Sequence, residues 1–257
     1  MNKRGDYWST TLLIMTIVML GWMSYLALTN SSPIERATGM SSVLLFNFFD
    51  EVETDLIYCD KALEYSFSDS LNELLLNGGF FEIEDKKVGN YVLWKRDVDE
   101  CYPTEDRIKK NLGLYLNKSI VEKLDNNNLS GDFEFKFEKE DGKLKILGEP
   151  TKKLNYSRDL DNIHIDYEVD PVLVLFLDYD LDEIMLKVLE VKEIVNSCGD
   201  NPTCWGNNAD FDWTNDEKWF MFEVNIGKIK DVFGETDLVL KGAVYFGSSL
   251  GEKSLVC

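Results

Sequence analysis

Apolar positions recur at helical spacing over the first third of the chain and at strand spacing over much of the rest. The run from Thr11 to Thr29, centred on LLIMTIVMLGWMSYLAL, is apolar on every side. At about 1.5 Å per residue such a stretch is long enough to cross a hydrocarbon core of ~30 Å. After Pro33, Met40, Leu44, Phe48, Val52 and Leu56 repeat every fourth residue with acids between them. This predicts an amphipathic helix followed by, or continuous with, one carrying Leu63, Phe67, Leu71 and Leu74. Gly78-Gly79 is a strong stop signal.

The period then changes. Phe80 to Ile83 and Tyr91 to Trp94 read as strands, and Thr104 N-caps a helix whose buried stripe is Ile108, Leu112, Leu116, Ile120 and Leu124. Phe133, Phe135 and Phe137 alternate with charged residues, Asp141-Gly142 turns the chain, and Leu144 and Ile146 return: a β-hairpin with one buried face. Alternation resumes over 162–178, with Val172 to Leu177 a continuous apolar run. A helix follows to about Asn196, then a turn-rich polar stretch over 205–217, then strands from Trp219 to Ile226 and Leu238 to Phe246. Without a regular βα alternation, this order predicts an α+β fold. The expected architecture is an N-terminal transmembrane helix followed by amphipathic helices packed on antiparallel sheet. The expected division is 1–10, a cytoplasmic head; 11–29, the span; and 30–257, the α+β domain, with a subdivision near 125–160.

Charge sets the expected topology. Lys3 and Arg4 precede the apolar run, while Glu35 and Arg36 nearly cancel after it. The positive-inside rule then puts the N-terminus in the cytoplasm and the main domain on the extracytoplasmic side of the cell membrane. Residues 11–29 would meet the lipid bilayer. Against 27 basic residues stand 47 acids, a net charge of −20. Nucleic acid is therefore excluded as a direct partner, because phosphate recognition needs clustered Lys and Arg.

Lys3-Arg4-Gly5, then Asp6, then a hydrophobic helix, resembles the class III signal of archaeal and bacterial type IV prepilins. That resemblance covers residues 3 to about 29. It implies cleavage between Gly5 and Asp6, with the helix kept as an assembly spine. Thr10 stands where the bacterial members carry a glutamate, a feature archaeal members often lack. Gly21, Ser24 and Ala27 fall at i, i+3, i+6 and would let helices approach closely. The helix end at Asn77-Gly78-Gly79, Val92-Leu93-Trp94, the Cys198…Cys204 pair and the closing Val239 to Tyr245 also resemble archaeal single-pass surface proteins. Together these imply a membrane-anchored structural protein of the cell surface, pilin-like, partnered by itself or by other surface proteins. The alternative is a monomeric anchored module for binding or adhesion.

Five cysteines occur. Outside a membrane such residues pair. Cys198 and Cys204 enclose a turn suited to a short disulfide loop, Cys59 and Cys101 could form a second bridge, and the last residue, Cys257, would then be odd, free or linked to another chain; spacing leaves the connectivity open. Asn30, Asn117, Asn128 and Asn155 are N-x-Ser/Thr acceptors for glycosylation.

No motif for nucleophilic catalysis or phosphate binding is present, and the single histidine, His164, sits in an alternating strand. The expectation is a protein that is not an enzyme and has no resident cofactor. Asp178, Asp180 and Asp182 start like a calcium loop, but Glu183 and Leu189 fill the positions that need glycine and glutamate. These acids suit a helix N-terminus better. Asp210, Asp212 and Asp216 are the weak candidates for Ca²⁺, in a loop beside Cys204. Trp205, Trp213 and Trp219 are candidates for an exposed stacking surface nearby.

Overall fold

A computed structural model describes residues 15–22, 33–81, 87–125, 131–160, 163–206, 211–231 and 234–247. The helices among the described residues are α1 over 15–22, α2 Pro33–Leu76, α3 Glu105–Asp125, α4 Asp182–Cys198 and α5 Pro202–Gly206. The strands are β1 Lys87–Val88, β2 Tyr91–Arg96, β3 Asp99–Glu100, β4 Phe133–Glu140, β5 Lys143–Pro150, β6 Leu154–Leu160, β7 Ile163–Val169, β8 Leu173–Leu177, β9 Phe211–Asp216, β10 Trp219–Asp231 and β11 Gly234–Tyr245. Internal contacts divide the chain into two units. One is Met1–Glu53 with Ser157–Ile165; the other is Thr54–Tyr156 with Asp166–Cys257.

The second unit carries the main core. The four-residue repeat after Pro33 and the one after Leu63 belong to one continuous 44-residue helix, because neither glycine nor proline occurs between Met40 and Leu76. Cys59, Leu63, Phe67, Leu71 and Leu74 form its buried stripe in this unit. They pack in one cluster with Ile108, Leu112 and Leu116 of α3 and Ile184, Val188 and Val191 of α4. Gly78 (φ 63°) and Gly79 (φ 83°) take the left-handed conformation that ends the helix, and their amides bond back to the Leu75 and Leu74 carbonyls.

The principal sheet has the order β1-β2-β11-β10-β9, with β3 added to β2. It curls into a half-barrel and is mixed, because β2 runs parallel to β11 through Leu93–Ala243 and Tyr245–Arg96. The expected purely antiparallel sheet is thereby corrected. A parallel pair needs a long crossover, and here most of the chain lies between the two strands, so no local signal announces it. A second sheet, β4-β5-β8, contains the phenylalanine hairpin. Asp141 (φ 52°) and Gly142 (φ 78°) form its two-residue turn, as the Asp-Gly pair requires. In the order of that sheet β8 is an edge strand; β6 and β7 form a separate two-stranded ladder.

The expected membrane span is also corrected. Among the described residues no helix is long and apolar enough to cross a membrane. Of the run at 11–29, only 15–22 is described, and the rest lies outside the described residues. The single-pass anchor, the bilayer contact and the cytoplasmic-to-extracytoplasmic topology built on it therefore lose their structural basis.

Candidate functional site

In the first unit the described part of α1 is apolar and uncovered. Met15 is 75% exposed, Met19 69% and Trp22 63%. Ile17, Val18 and Leu20 are exposed as well, so no side of this segment is turned into a core. A Cβ built on Gly21 would meet nothing within 4 Å, which leaves its backbone open to close approach. On α2, Phe48 and Val52 lie one turn apart and are buried. The Arg158 guanidinium sits 5.5 Å above the Phe48 ring and pairs with Glu51 at 2.7 Å. Val43, Phe46 and Phe49 point elsewhere and remain exposed, Phe46 at 74%. They recur at i, i+3, i+6, one strip of the helix. His164 Nδ1 lies 2.6 Å from Asp159 Oδ1, and both side chains are exposed.

The second unit shows where the other expected residues lie. Cys198 and Cys204 are bonded, with Cα atoms 5.4 Å apart, closing the turn between α4 and α5. Cys59 and Cys101 do not pair. Cys101 is disulfide-bonded, whereas Cys59 is a free thiol buried on the packed face of α2. Burial, then the nearby Asp55 and Asp60 carboxylates, push that thiol up to about 11. Asn117 is committed to structure: its Oδ1 accepts the Phe133 N–H at 2.8 Å and so ties α3 to the start of β4. Asn155 is exposed on β6. Gly5, Asp6, Asn30, Asn128, Asp210 and Cys257 lie outside the described residues.

Asp212 and Asp216 are exposed and sit on β9, not in a loop. Four residues of strand separate them by roughly 13 Å, too far for both to reach one ion. Among the described residues no group of three or more His, Cys, Asp or Glu is placed to hold a metal. Asp180 instead accepts the Asp182 N–H at 3.0 Å at the start of α4. Lys139 joins both carboxylates, and its hydrogen bond holds the Asp180 carboxyl below the usual range.

Of the three tryptophans, one closes the core. Trp205 is 1% exposed. Its ring stacks on Phe220 at 4.7 Å and meets Trp213 edge-on at 4.1 Å, and its Nε1–H donates to the Gly199 carbonyl at 2.8 Å. The short disulfide loop holds α5 so that this ring closes the core. Trp219, half-buried, lies against Tyr245 at 4.3 Å. Local polarity around 205–217 pointed to a surface, but cross-strand neighbours on β10 and β11 take up the rings.

Sequence reasoning missed one cluster. Glu223 on β10 faces Lys241 on β11 across the ladder and binds it at 2.7 Å. Tyr91 on β2 donates to the same carboxylate oxygen at 2.8 Å. The Lys241 bond, then the Tyr91 bond, hold the Glu223 carboxyl below its ordinary range. The three residues meet only because β2, β10 and β11 are neighbours, so nothing in the linear pattern marked them. With two donors from neighbouring strands sharing one carboxylate oxygen, the cluster forms a clasp between β2, β10 and β11. Compared with known proteins, the chain matches no family model, no curated protein and no solved structure.

Proposed function

We propose that the protein is a structural subunit, not an enzyme, that assembles with copies of itself through its apolar N-terminal helical segment and displays the α+β unit as a head. The observation that carries this reading is the exposed apolar surface of α1, together with the exposed Val43, Phe46 and Phe49 on α2. Apolar surface left in water costs about 25 cal/mol per Å². A contiguous stretch of it marks a contact site. Because α1 is exposed on all sides, a single one-sided partner leaves part of it wet; copies packed around one another cover it. Gly21, open on its Cα side, permits close helix approach. The prepilin resemblance adds processing between Gly5 and Asp6 to this reading.

Sedimentation of the full chain against a Val43→Asp/Phe46→Asp double variant tests it. Assembly of the native chain, lost in the variant with the circular dichroism of the head unchanged, is the expected result. A native chain that sediments as a monomer at every concentration overturns it and favours the solitary binding module. Mass analysis of the N-terminus after production beside a prepilin peptidase tests the processing separately: a chain starting at Asp6 is expected, an intact Met1 removes that part.

A further inference from the structure

Strand β8 has only β5 as a neighbour, so its other edge is unpaired among the described residues. Edge strands in stable proteins are blunted by a charge, a proline or a bulge. Leu173–Leu177 reads LVLFL, with none of these, and its register with β5 runs without a shift. Val172, Val174 and Phe176 are exposed on one face, at 56%, 44% and 53%.

A groove of about 270 Å³ follows this free edge. Leu175, Phe176 and Leu177 line it together, and consecutive residues point to opposite faces of a strand. The groove therefore lies along the edge and not over either face. Phe67 and Ser68 of α2 form its floor, and Ile229 and Lys230 of β10 its far wall. Among the described residues β9 pairs with β10 only as far as Val224, so the wall residues lie beyond the described part of that ladder. The volume is below the ~300–1,000 Å³ usual for small-molecule pockets, and an open groove beside an unpaired strand suits an extended chain.

The filled edge shows what chemistry β8 accepts. There β5 reads KLKILG, pairing Leu144 with Leu177, Lys145 with Phe176 and Ile146 with Leu175. The Lys145 ammonium lies 5.7 Å over the Phe176 ring. Acids bracket the strand: Asp170 before it and the exposed Asp178 after it. A second copy fits poorly. Antiparallel pairing of two β8 strands brings the bracketing acids Asp170 and Asp178 of one copy towards those of the other at both ends, and like charges brought together destabilise a ladder. Two chains of net charge −20 add to that repulsion.

We infer that the free edge of β8 is a docking site for an extended segment of another protein, apolar at alternate positions and flanked by lysine or arginine, which adds as a strand between β8 and β10. This site is independent of helical self-assembly and stands or falls without it.

The test uses the full chain and a fluorescein-labelled peptide of this protein's own residues 143–149 as probe. Saturable binding is expected, with increased hydrogen-exchange protection at 173–177. The Val172→Lys/Val174→Lys variant, altered only at exposed positions, should bind at least ten-fold more weakly. The same peptide with both lysines replaced by glutamate should bind the native chain at least ten-fold more weakly. Absent binding, equal binding by the variant, or equal binding of the acidic peptide overturns the inference. A dimer of the native chain that Val172→Lys/Val174→Lys dissolves overturns it as well, since the occupant is then a second copy.

Discussion

The indole Nε1–H of Trp94 donates to the carbonyl oxygen of Gly78 at 3.1 Å, joining the C-terminal turn of α2 to the middle of β2. Gly78 lies at φ 63°, and a Cβ there would stand 2.8 Å from both that Nε1 and the Lys241 carbonyl oxygen. Gly78→Ala therefore combines left-handed strain with a backbone clash, and should cost roughly 1–3 kcal/mol of stability or more. Trp94→Phe leaves the buried carbonyl without its donor, at about 1–3 kcal/mol. Chemical denaturation of both variants checks these values. The double variant should cost less than the two single losses added, because both act on one contact.

Phe222 of β10 lies directly opposite Gly242 of β11, and its ring covers the glycine. A Cβ at Gly242 would meet Phe222 Cε1 at 2.8 Å. Gly242→Ala should destabilise by about 1–3 kcal/mol through overpacking. Adding Phe222→Leu should recover part of that loss, read as a partial return of the thermal midpoint. A Gly242→Ala protein as stable as the native one contradicts the packing.

Cys59 is 0% exposed and its thiol is pushed up to about 11. Thiolate is the reactive form, so alkylation at pH 8 should be slow in the native protein and fast once it unfolds. Label entering at Cys59 only with unfolding is the expected mass-spectrometric result. Rapid labelling of the native chain at Cys59 contradicts its burial.

Acid should loosen the strand clasp. The Glu223 carboxyl is held below its ordinary value by Lys241 first and Tyr91 second. A carboxylate depressed in the folded state contributes stability that is fully present above its unfolded value. That contribution is lost as pH falls through the folded one. Between pH 7 and acid conditions, Glu223→Gln should therefore lose less stability than the native protein, with the difference confined to the carboxylate range. Parallel curves for the two proteins across that range contradict the clasp.

The residues that local chemistry alone governs were legible in the linear pattern. Phe133, Phe135 and Phe137 with Asp141-Gly142 specify their hairpin because alternation and a two-residue turn need no distant partner. Gly78-Gly79 end α2 because only a residue tolerant of positive φ completes that turn. Cys198 and Cys204 pair because a short turn brings them together. What the tertiary structure alone decided involves contacts between residues far apart in sequence. It set β2 parallel to β11, kept Cys59 from pairing with Cys101, drew Trp205 into the core and gathered Tyr91, Glu223 and Lys241 around one carboxylate. Among the described residues it also left the second edge of β8 open, which a continuous apolar run such as Val172 to Leu177 does not disclose: a buried strand and an unpaired edge read alike until their neighbours are placed.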